Sequence, residues 1–137
     1  MNAVIVPVLK IAKLVAQILL LVVSLFWFAF ALLSGAEEAG GGFIGLVRNS
    51  PNALPWLLLL AFNWLAHKFN LAGGLILFAF SWFAFFLFDM YEAESLPILF
   101  LIFLPVLTVS LIFIANGILD RRLAAGESGN GGAGAHA

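Results

Sequence analysis

Asn63 and His67 stand four residues apart, with Lys68 directly after them. On a helix that spacing puts the amide and the imidazole on one face. With the neighbouring ammonium they could hold a polar or anionic solute at the end of an apolar segment. The plainer chemistry is structural: Asn63 makes an interhelical hydrogen bond worth ~0.6–2 kcal/mol, and His67 rests among headgroups. That second reading is the expectation. Uncharged polar side chains also fall inside apolar stretches at Gln17, Ser24, Ser81, Thr108, Ser110 and Asn116. Gly73 and Gly74 could admit a ligand to the backbone, but close approach of a neighbouring helix is the commoner use of small residues. With Ala72 they are expected to face the first or the fourth apolar helix. Pro105 removes one helical hydrogen bond and is expected to kink its helix.

Catalysis lacks its parts in this pattern. A hydroxyl is a weak nucleophile without an adjacent base, and no histidine or carboxylate lies at a depth matching Ser81, Thr108 or Ser110. HExxH, Walker and GxGxxG patterns are absent. His67 and His136 are the only histidines and there is no cysteine, so neither a metal centre nor thiol chemistry is expected. The expectation is a non-enzymatic protein without a cofactor. Six basic residues spread over separate sites, and a net charge of −1, make no nucleic-acid surface.

The elements that must position these residues are apolar. The 137-residue chain is 64% hydrophobic and 9% charged, with a mean hydropathy of +1.16. Soluble domains carry about 45–50% apolar and about 25% charged residues, so a water-soluble fold of this composition would expose large apolar patches. A lipid bilayer is the expected solvent.

Four apolar runs follow one another. Leu14 to Leu33 has 20 uncharged residues, enough for ~30 Å of helix, with Pro7 placed where a helix can start. Lys10 and Lys13 before it and Ser34 to Ala36 after it would also suit a signal peptide, but the run is long and ends in bulky aromatics. Trp27 and Phe28 are expected at the outer interface. Between Ser34 and Asn52, the stretch around Phe43 to Val47 could lie along the membrane or belong to a mobile loop.

Ala53 to Ala66, with 14 residues, is short; Asn52 is expected to cap it, Pro55 to occupy its first turn, and Trp56 and Trp64 to anchor its ends. Residues 67–70 make a tight connection in which Asn70 caps the third helix. Leu71 to Phe88 carries a dense aromatic half suited to lipid contact and interhelix packing, and Leu96 to Leu119 is long enough to span with tilt. The predicted helices are 8–33, 53–68, 71–89 and 96–120, within a membrane domain of residues 1–122. Residues 123–137, rich in glycine and alanine, are expected to be a disordered tail.

Charge sorts between these runs. Lys10, Lys13, Lys68, Arg121 and Arg122 occupy alternate gaps, and Glu37, Glu38, Asp89, Glu92 and Glu94 the others. Lys and Arg are retained on the cytoplasmic side, so the pattern predicts an all-α bundle of four transmembrane helices with both termini cytoplasmic. Without the second crossing, Lys68, Arg121 and Arg122 would lie opposite Lys10 and Lys13. No ionisable group lies deep inside any run, which disfavours an ion-coupled transporter.

LPWLLLLAFNW at Leu54 to Trp64, the pair Gly73 and Gly74, and LP at Leu104 and Pro105 resemble a group of small bacterial four-helix membrane proteins classed as a domain of unknown function. Such proteins often carry a histidine just before the first proline, where this chain has Leu54. The resemblance implies four spans in a bacterial inner membrane and nothing about activity. The function expected is that of a non-catalytic accessory or assembly component of a membrane complex, or a homo-oligomer, embedded in lipid. The alternative is a small oligomeric transporter or channel for a small or hydrophobic solute; on either reading Asn63, His67, Gly73, Gly74, Pro105 and Asn116 are the candidate polar and packing positions.

Overall fold

A computed structural model describes residues 2–92 and 96–131. All regular structure among them is helical: α1 (Asn2–Ser34), α2 (Gly42–Lys68), α3 (Asn70–Leu87), α4 (Leu96–Ile98), a π turn (Leu99–Phe103) and α5 (Leu104–Gly131). α4, the π turn and α5 run on without a break, so the described residues make four helical rods. Three of them, over Val4–Ser34, Asn70–Leu87 and Leu99–Gly126, are long and apolar enough to cross a membrane. α2 has the length but not the apolarity, because Arg48, Asn49, Ser50 and Asn52 precede its hydrophobic run.

The second helix is therefore longer than the sequence suggests. It begins at Gly42, not at Ala53, and absorbs the stretch expected to be an interfacial segment or loop. Asn52 does not cap it, and Pro51 and Pro55 both lie inside it. Proline lacks an amide and orphans the carbonyl four residues earlier. For Pro51 that carbonyl belongs to Val47, and the Ser50 hydroxyl donates to it at 2.8 Å. The turn before α2 depends on Gly40, Gly41 and Gly42, with φ of 120°, 71° and 52°, backbone angles that glycine adopts at little cost.

Other boundaries shift for similar local reasons. Pro7 sits one turn inside α1 and does not start it. Asn70 makes no capping bond, and Phe69 alone separates α2 from α3. α3 stops at Leu87, short of the expected 89, in a Schellman-type closure: Asp89 takes φ 47° and the Met90 amide donates back to Phe85 O at 3.0 Å. This closure buries Met90. At Pro105 the expected kink takes the form of the preceding π turn. In that geometry a carbonyl bonds the amide five residues on, which for Leu101 belongs to Val106 and not to the proline. The expected tail begins as helix, since Leu123, Ala124 and Ala125 are good helix formers and α5 continues to Gly131. Residues 132–137 lie outside the described part.

Successive rods pack antiparallel, and α5 returns against α1. Leu20, Leu59, Leu77 and Phe113, each 2% exposed or less, fill the middle. Small residues let the backbones close up. A Cβ at Gly73 would strike the Ala66 backbone, one at Gly74 would come within 2.8 Å of Ile114 N, and one at Gly117 within 2.7 Å of Leu71 Cα. Gly74 thus faces the last rod, as expected, but Gly73 faces its own hairpin partner α2. Ala72 is exposed. Trp27 and Trp56 pack on one another: their rings stack at 5.4 Å between α1 and α2. The two indoles offer one another a flat apolar surface inside the bundle.

Candidate functional site

Polar residues collect at the end of the bundle that holds the start of α1 and the late part of α5. Lys10 and Lys13 come from α1, His67 from the end of α2, Asn70 from the start of α3, and Asn116 and Asp120 from α5. They surround a crevice of about 340 Å³, within the size range of small-molecule sites. Antiparallel packing explains the convergence. It brings residues near the ends of all four apolar runs into one ring, including pairs separated by more than a hundred positions in the chain.

Hydrogen bonds position this ring. The Asn70 amide donates to the Asp120 carboxylate at 2.6 Å, joining α3 to α5. The buried Asn116 side chain donates to Leu9 O at 3.1 Å and to Ile112 O at 2.9 Å, tying α5 to α1. Lys13 Nζ lies 5.9 Å from the centroid of the Phe113 ring, a cation–π distance. One turn deeper than His67, Asn63 is 4% exposed and donates to Gln17 O at 3.3 Å. Gln17 itself lines the crevice. Two buried oxygens, Asn63 Oδ1 and Asn70 Oδ1, accept no hydrogen bond. Buried acceptors are rarely left in that state.

The structure thus brings His67 and Asn116 to the crevice and sets Asn63 beneath it. Gly73 and Gly74 are spacers between helices, and half-buried Pro105 lines a different hollow. Lys68 lies 5.5 Å over the exposed Trp64 ring, outside the crevice lining. Charge patterning gave Lys10 and Lys13 a topological meaning only, and nothing in the local sequence pairs Asn70 with Asp120. Their positions near the ends of runs were the available signal.

Below the crevice the axis is closed by the apolar core. The buried hydroxyls there turn back on their own helices: Ser24 donates to Leu20 O at 2.6 Å, Ser81 to Phe78 O at 2.7 Å and Ser110 to Leu107 O at 2.7 Å. Among the described residues no three histidine or acidic side chains are grouped to hold a metal ion. On the flank, a wholly separate hollow of about 650 Å³ runs between α1 and α5 from Val8 to Leu19, passing exposed Thr108 and Pro105. It is lined by apolar side chains apart from that hydroxyl.

At the opposite end of the bundle, sequence reasoning missed Asn49. Its side-chain amide donates at 2.8 Å to both Ala31 O and Leu32 O, carbonyls in the last turn of α1. Asn52 donates to Asn49 Oδ1 at 2.6 Å and holds it in place. The i, i+3 spacing of two asparagines was visible, but their target on another helix was not.

No curated protein and no solved structure shows significant similarity to the chain. The chain belongs to the family described as a domain of unknown function (DUF7670), whose profile matches residues 3–125.

Proposed function

We propose that the protein is a multi-pass component of a cell membrane that crosses four times, keeps both termini in the cytoplasm and acts without catalysis, as part of a larger membrane assembly or as a homo-oligomer. The orientation follows from Lys10, Lys13, Lys68, Arg121 and Arg122 sharing one end of the bundle while Glu37, Glu38, Asp89 and Glu92 belong to the other. α2 suits the fourth crossing despite its composition. Asn49 and Asn63 are buried against α1, whereas Leu54, Leu57 and Leu58 are exposed. Averaged hydropathy counts the hidden amides against it, but lipid would meet leucine.

One observation carries the assembly reading: the axis is closed and the flank is open. Leu20, Leu59, Leu77 and Phe113 leave a single copy no polar path along its centre, which weighs against transport by one bundle. The hollow between α1 and α5 extends for about 17 Å along α1 and is large enough for side chains of another helix. Native mass spectrometry of the protein extracted from its own membrane tests this reading. A defined oligomer or a stoichiometric partner is expected; a lone monomer under gentle extraction overturns it. Topology is tested in intact cells with single cysteines at Glu38, Lys68, Glu92 and Gly131, since the chain has none of its own. Labelling from outside at Glu38 and Glu92 alone is expected, and labelling at Lys68 or Gly131 overturns the orientation.

A further inference from the structure

We propose that the crevice at the basic end binds a phosphate ester bearing a primary ammonium, the chemistry of a phosphoethanolamine headgroup. The proposal goes beyond the assembly role and stands whether or not a partner is found.

The crevice wall carries charges of both signs. Lys10 and Lys13 are both on the crevice wall, one turn apart on α1, and offer donors to a phosphate. Asp120 faces the same space from α5, and its carboxylate is held by the Asn70 amide at 2.6 Å. A site for a simple anion gains nothing from a fixed carboxylate. A ligand with a cationic end and an anionic end meets both.

The Asp120 carboxylate also selects the kind of cation. One of its oxygens takes the Asn70 N–H, and lone pairs remain for further N–H donors. A primary ammonium supplies three; a quaternary one supplies none. The crevice volume of about 340 Å³ accommodates such a headgroup. Leu14, which is 58% exposed, continues the crevice wall onto the apolar flank of α1, giving an attached acyl chain a hydrophobic exit.

The test is native mass spectrometry of the full-length protein in detergent with added phosphatidylethanolamine, phosphatidylcholine or soluble phosphoethanolamine. The wild type is expected to retain phosphatidylethanolamine at least about tenfold better than phosphatidylcholine, a difference of about 1.4 kcal/mol or more. The double variant Lys10→Gln/Lys13→Gln and, separately, Asp120→Asn are each expected to lose most of that preference, while Arg122→Ala keeps it. Equal retention of the two lipids by the wild type, or an unchanged preference in Asp120→Asn, overturns the proposal. The wild-type comparison needs no variant to fold. Displacement of the lipid by soluble phosphoethanolamine supports the site and identifies a free ester as a ligand; retention of lipid without displacement supports it and identifies the membrane as the source.

Discussion

Asn49, in the first half of α2, closes the far end of α1 by donating to Ala31 O at 2.8 Å across the interhelical contact. The last carbonyls of a helix have no intrahelical partner, and here the next helix supplies one from a side chain. Asn49→Ala is expected to cost about 1–3 kcal/mol, because it leaves buried carbonyls and the Asn52 amide without their partner. Asn52→Ala should cost less, since it removes only the bond that steadies Asn49. Denaturant titration in micelles, followed by circular dichroism, gives both values.

Glycine substitutions should differ in sign along the chain. Gly73→Ala and Gly117→Ala place a methyl group against the backbones of Ala66 and Leu71, and neither backbone can yield cheaply. Each is expected to destabilise by about 1–3 kcal/mol. Gly126 lies in α5 with nothing near its Cβ position, so Gly126→Ala should stabilise by up to about 1 kcal/mol through helix propensity. The same unfolding assay separates the two outcomes.

The stacked indoles of Trp27 and Trp56, 19° from parallel, should be energetically coupled. In a double-mutant cycle with Trp27→Leu and Trp56→Leu, the double variant is expected to lose about 0.5–1.5 kcal/mol less than the sum of the two single losses. A coupling near zero would mean that each ring is held by its other neighbours.

The hydroxyl of Tyr91 donates to Asp89 Oδ1 at 2.8 Å. That hydrogen bond, and then the carboxylate's charge, raise the phenol above its ordinary value. The folded protein therefore keeps this proton to higher pH than the unfolded chain. The associated stabilisation is complete below about pH 10 and is lost as pH rises through the folded value. Tyr91 is the only tyrosine in the chain, so an alkaline absorbance titration reads it directly. Asp89→Asn, which still tolerates the left-handed backbone, should lower the midpoint.

Much of the fold was legible because its signals are local. Leu14 to Leu33 and Leu71 to Phe88 announce helices by length and lack of charge alone. The N-terminal half of α2 was not legible, since Pro51, Pro55 and three asparagines or serines before Ala53 read as a loop. Its helix persists because Ser50 recovers the orphaned Val47 carbonyl and Asn49 binds the end of α1. Neither compensation can be seen without the partner. The crevice was half legible. His67 and Asn116 stand out for their polarity, but Lys10 and Lys13 signify only orientation, and nothing local marks Asp120.

By itself the sequence determined that this chain is helical and apolar enough to expect four crossings, of which three helices prove long and apolar enough. Those are properties of composition over about 20 neighbouring residues. Only the tertiary structure decided which polar groups turn inward and which meet one another. Asn116 reaches Leu9 across 107 positions, Asn70 reaches Asp120 across 50 and Asn63 reaches Gln17 across 46. Antiparallel packing makes those separations short in space, and a crevice whose walls come from four helices exists only once they have packed.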